Sequence, residues 1–159
     1  VEEAIGQLAG KHGDEHGLFG VEVCGAVAGE ELQVPGRRLL DVGLVGAAAL
    51  PGWVQNPYPW MKGAGAYVLS SRWEGLPSVL IEALYCGVPI VATDCLSGPR
   101  EILDGGRHGL LVEVGDVGGL AGGIRSALAG EVPAPAPESW RPYEQEFVVN
   151  RYLEVLVGE

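Results

Sequence analysis

Two carboxylates, Glu74 and Glu82, stand eight positions apart in the run Ser70-Ser71-Arg72-Trp73-Glu74-Gly75-Leu76-Pro77-Ser78-Val79-Leu80-Ile81-Glu82. Ionised carboxylates accept hydrogen bonds at several lone-pair sites, so they suit a ligand with paired hydroxyl groups. A site built on those bonds rejects molecules that lack the hydroxyls. Between the two acids, Gly75 lets a ligand approach the backbone, and the amides at a helix start after Pro77 can receive an anion such as a diphosphate. The sequence offers no Ser-His-Asp or Cys-His set for nucleophilic catalysis.

The flanking elements account for the placement. Ala66-Tyr67-Val68-Leu69 is apolar and partly β-branched, a buried strand that delivers the chain to a turn carrying Glu74. Pro77 suits the first turn of a helix running to about Cys86, where Gly87 and Pro89 stop it. Val79-Leu80-Ile81-Glu82-Ala83-Leu84 is apolar on nearly every side, which predicts a helix covered on more than one face. In that setting Glu82 needs a partner, since an unpaired buried carboxylate costs several kcal/mol. The other reading makes Ser78, Glu82 and Tyr85 a narrow solvent stripe at helical spacing.

Strands are predicted at 18–24, 47–50, 66–70, 88–93 and 109–113. Helices are predicted near 2–11, 37–42 and 58–64, then at 77–86, 98–103, 117–129 and 147–156. Such alternation implies an open α/β domain, a Rossmann-like parallel sheet with helices on both faces. Residues 1–131 form that domain, 132–138 a Pro/Ala-rich extended connector, and 139–159 a helical segment directed away from the sheet centre. Ligands of open α/β sheets bind at the carboxyl ends of strands. Three turns meet that description: 50–54, 70–77 and 93–101, the last with Ser97 and with Gly98, which like Gly75 would let a ligand approach the backbone closely. Gly6, Gly10, Gly118, Gly119, Gly122 and Gly123 fall at helical positions and predict weak outer helices.

Composition narrows the function. With 159 residues and 47% hydrophobic content, the chain suits one domain with a sizeable core. A formal net charge of −11 argues against nucleic acid as a partner. No apolar run reaches the roughly 20 residues of a bilayer span and Val1-Glu2-Glu3 lacks a basic signal start, which predicts a soluble, cytoplasmic chain. Cys24, Cys86 and Cys95 show no paired spacing, and His12 and His16 lie among glycines, so no metal site is expected.

Four stretches carry a family resemblance: Trp53-Val54-Gln55-Asn56-Pro57-Tyr58-Pro59, residues 68–83, Gly87-Val88-Pro89-Ile90-Val91-Ala92-Thr93-Asp94, and Ser97-Gly98-Pro99-Arg100-Glu101-Ile102-Leu103. They resemble the carboxy-terminal, donor-binding domain of GT-B glycosyltransferases of the retaining GT4 family, over about 50–128. Glu74 and Glu82 match the E-x7-E motif of that family. The resemblance implies that Glu82 accepts from ribose hydroxyls of a nucleotide-sugar and that Glu74, the catalytic-site residue, contacts the transferred sugar. It implies that amides of Gly75, Leu76 and Ser78 face the sugar and diphosphate, Pro77 having no donor. The base would lie near Trp53 and Val54, with Arg72, Ser97 and Gly98 on the donor side.

The resemblance further implies a UDP- or GDP-linked donor, no metal, and front-face displacement with the leaving phosphate as base. The acceptor, whether lipid, polysaccharide or small molecule, would bind an amino-terminal GT-B domain that these residues do not match. That domain would also provide any contact with the inner membrane face. Gly65 stands where the family usually has Asp, and the opening strand with its diphosphate-clamping Arg and Lys is unmatched. The expectation is therefore a donor half inactive by itself, with a non-catalytic nucleotide-sugar-binding module or a related epimerase as alternatives.

Overall fold

A computed structural model describes residues 54–158 and the backbone of strand 21–24. Among the described residues four strands form the sheet: β1 (Val21–Cys24), β2 (Ala66–Leu69), β3 (Ile90–Thr93) and β4 (Leu110–Val112). All are parallel and neighbour one another in chain order, with Cys24 beside Leu69, Val68 beside Val91 and Thr93 beside Val112. Among the described residues five α-helices accompany them: α1 (Tyr58–Gly63), α2 (Ser78–Cys86), α3 (Pro99–Ile102), α4 (Val117–Leu128) and α5 (Gln145–Val157). The expected helices near 2–11 and 37–42, the strand at 47–50 and the His12/His16 stretch lie outside the described residues.

Strand alternation divides the core into two layers. Tyr67 and Leu69 of β2 and Ile90 and Ala92 of β3 point one way, onto Met61 of α1, Leu80, Ala83 and Leu84 of α2, and Ile102 of α3. Ala66, Val68 and Val91 point the other way, onto Leu120, Ala121, Ile124 and Ala127 of α4. Every residue of β2 and β3 is buried, which is why both read as continuous apolar runs instead of alternating ones.

The glycines of α4 have a packing reason. A Cβ on Gly123 would stand 2.7 Å from Leu110 Cδ2 and 3.0 Å from Val91 Cγ1, so its absence lets the helix lie directly on the sheet. The Asp116 carboxylate caps this helix, accepting from the Gly119 amide at 2.8 Å. α4 is thus a 12-residue helix with five buried residues rather than a marginal outer one. At Gly65 a Cβ would meet Leu128 Cδ2 at 2.8 Å, so the α4 terminus fills the space of the missing side chain.

After α4 the chain runs through 132–138 without regular structure and returns to the first layer, where Trp140 and Tyr143 pack against it. Tyr58, Tyr85 and Trp140 interlock edge to face, with centroids 6.3 Å and 5.2 Å apart. Tyr58 is therefore a packing residue here. α5 follows and buries none of its residues.

Candidate active site at the carboxyl edge of the sheet

β2 ends at Leu69 and β3 at Thr93, so the loops 70–77 and 94–98 leave the same edge of the sheet side by side. The first loop carries Glu74, whose Oε1 accepts from the Ser71 hydroxyl at 2.5 Å, a charge-assisted bond. The second loop supports the first. Ser97 Oγ donates to the Glu74 carbonyl at 2.7 Å, and Thr93 Oγ1 donates to the Ser71 carbonyl at 2.6 Å with the Leu69 carbonyl 3.3 Å away.

Gly98 completes the junction. Its φ of +89° is a backbone conformation that L side chains rarely adopt, and a Cβ there would lie 2.4 Å from Pro77 Cδ and 2.9 Å from the Gly75 carbonyl. Gly98 is buried and its close neighbour is Pro77, so the close approach expected of a ligand at this backbone is taken by the chain itself. Gly75 is different: it is exposed, with nothing within 4 Å of a Cβ added there. The backbone at Gly75 and Leu76 is open to an approaching molecule.

α2 begins at Ser78 with Pro77 in the N-cap position and no side chain capping its first amides, in contrast to the capped α4. Uncapped amides and the helix dipole make this end receptive to negative charge. Glu82, one turn further along, is half-exposed and has no hydrogen bond or ion pair among the described residues. Ser78 and Tyr85 are exposed on the same stripe, while Leu80, Ala83 and Leu84 face the core. α2 is thus covered on one side, and Glu82 is not the fully buried charge that its apolar neighbours in sequence suggest.

The remaining candidates fall around this edge. Arg72 is exposed and unpaired among the described residues. Arg100 does not pair with its neighbour Glu101: its guanidinium holds Asp94 through both carboxylate oxygens, the Nε bond being 3.0 Å. That bond, and then the charge of Asp94, raise the Arg100 pKa. Val54 is half-buried ahead of α1, and Trp53 lies outside the described residues. Among the described residues no three His, Cys, Asp or Glu side chains group as a metal site. Thr93 and Ser71 stand in the turns the sequence marks, but their hydrogen-bonding roles escaped the sequence reading. The available signals were a hydroxyl ending the apolar run Ile90-Val91-Ala92 and a serine three residues before Glu74.

The family model for glycosyl transferases group 1 matches residues 12–130. This chain belongs to that family. The chain is 37% identical over 116 residues to the lipopolysaccharide 1,6-galactosyltransferase of Escherichia coli K12, covering 67% of this chain and 32% of the relative. Its fold matches the apo lipopolysaccharide outer core galactosyltransferase WaaB, with TM-score 0.68, 23% identity, and coverage of 77% of this chain and 36% of that one. A point mutant of S. aureus TarM, solved with fondaparinux, α-GlcNAc-glycerol and UDP, gives TM-score 0.66 and 22% identity over 76% of this chain and 26% of that one. The α/β sheet is that of GT-B glycosyltransferases. The chain spans about a third of the length of these galactosyltransferase relatives.

Proposed function

We propose that this chain is the donor-binding domain of a retaining, metal-independent glycosyltransferase that takes a UDP- or GDP-linked sugar. One observation carries the reading. The loop 70–77 presents the Glu74 carboxylate, the open backbone at Gly75 and the uncapped start of α2 at one edge, with Glu82 unpaired among the described residues a turn beyond. In this assignment Glu82 accepts from ribose hydroxyls and Glu74 from hydroxyls of the sugar. The amides of Gly75, Leu76 and Ser78 and the Arg72 guanidinium face the diphosphate. Trp53 and Val54 border the base.

The reaction we assign needs no protein nucleophile. The bond from the anomeric carbon to the diphosphate oxygen breaks, and the acceptor oxygen bonds that carbon from the same face. The departing phosphate oxygen takes the acceptor proton, so configuration is retained. Helix amides are preorganised for the charge that develops on the leaving group. Since the chain covers about a third of its galactosyltransferase relatives, we assign acceptor binding to protein outside the matched region and expect no turnover by these 159 residues alone.

Calorimetric titration of UDP- and GDP-sugars into the chain, with Glu82→Ala alongside, tests this. Binding weakened by about 1–3 kcal/mol in the variant supports the ribose role. A folded chain that binds none of these donors sinks it. Turnover by the isolated chain would refute the division of labour.

A further inference from the structure

Thr93 is the buried polar residue of the core among the described residues, 5% exposed at the end of a strand otherwise made of Ile90, Val91 and Ala92. Packing alone would be served by valine at that position. A buried hydroxyl must find a partner, and both carbonyls near this one, of Ser71 and Leu69, belong to the chain that leads into the Glu74 loop. Ser71 in turn spends its own hydroxyl on Glu74 Oε1. The result is a line of bonds from the sheet core to the carboxylate: Thr93 to Ser71, Ser71 to Glu74.

We propose that Ser71 and Thr93 are positioning residues for sugar recognition. Ser71 holds the Glu74 carboxylate in the orientation that receives sugar hydroxyls, and Thr93 holds Ser71 through its carbonyl. The inference rests on the donor-binding reading above. A glutamate has three side-chain torsions to fix, and a tether that fixes them before the ligand arrives removes that cost from binding. One bond from Ser71 occupies one of the roughly four acceptor positions of the carboxylate and leaves the others for the ligand. Ser97, bonded to the Glu74 carbonyl at 2.7 Å, steadies the main chain on the opposite side.

The test compares affinities for UDP with those for UDP-galactose, UDP-glucose and UDP-N-acetylglucosamine, and for GDP with GDP-mannose, in the whole chain and its variants. The readout is the preference for the sugar nucleotide over the free nucleotide, which a general loss of structure would not move. Ser71→Ala is expected to cut that preference about tenfold while free-nucleotide binding stays within about twofold. Ser71→Thr, which keeps the hydroxyl, is expected to restore it, and Thr93→Val to reduce it in part. Unchanged preference in Ser71→Ala, or equal weakening of both ligand classes, overturns the role of Ser71. Unchanged preference in Thr93→Val removes Thr93 from it. A folded wild-type chain that binds none of these sugar nucleotides rejects the donor reading itself, whereas one that binds them with no preference over the free nucleotide overturns this role alone.

Discussion

Cys95 follows Asp94 at the head of the loop after β3, 3% exposed, with its sulfur 3.8 Å from the Ser97 carbonyl. Burial pushes its thiol pKa up, and the negative charges of Glu74 and Asp94 push the same way. Tyr143 is raised by burial and then by Glu101 and Asp104. Both groups hold their proton more tightly in the folded chain than in the unfolded one. Their contribution to stability is therefore complete below the ordinary thiol pKa, about 8.5, and is lost as pH rises through the raised folded values. Urea midpoints at pH 7.5 and 10.5 should show this fall, and Cys95→Ala should flatten its first part. With Cys24 and Cys86 replaced by serine, native Cys95 should react with a disulfide reagent far more slowly than the unfolded chain; equal rates would contradict the assignment.

At the scale of elements, the two site loops are joined by Gly98 against Pro77, and α4 is seated by Gly123 against Leu110 and Val91. Gly98→Ala adds a methyl to a positive-φ position already in contact with Pro77, at a cost of about 1–3 kcal/mol. Gly123→Val overpacks the α4–sheet layer and should cost about as much while leaving UDP-sugar affinity unchanged, whereas Gly98→Ala, set against the loop 70–77, should weaken that affinity. Denaturation and titration of both variants separate the two cases. The sequence was legible where periodicity and stop signals agree. Strands 66–70 and 88–93 appear as Ala66–Leu69 and Ile90–Thr93, and the helix ending at Gly87 appears as Ser78–Cys86. Glu82 was harder to place, because apolar neighbours in sequence do not say which faces of a helix find cover. Arg100 with Asp94 was harder still, since a turn sets that pairing and no periodicity marks it. The use of Gly123 depends on how near the sheet lies, which sequence spacing does not encode.

For the whole molecule, burial ends where the chain docks Trp140 and Tyr143 on the first layer. Beyond that point Phe147, Tyr152, Leu153, Val155, Leu156 and Val157 are all exposed on α5. No helix of the described residues is long and apolar enough to cross a membrane. A lone helix of 13 residues is marginal in water without packing against a core. Amide hydrogen exchange in the isolated chain should therefore be fast through α5 and slow in β2 and β3. Equal protection would mean that α5 shares the cooperative unit. The core's closure at Trp140 and Tyr143 also makes the carboxyl end a permissive graft point. A dye, an affinity tag or a surface tether attached after α5 should leave the carboxyl edge of the sheet undisturbed, giving an immobilised chain on which the proposed donor binding can be measured.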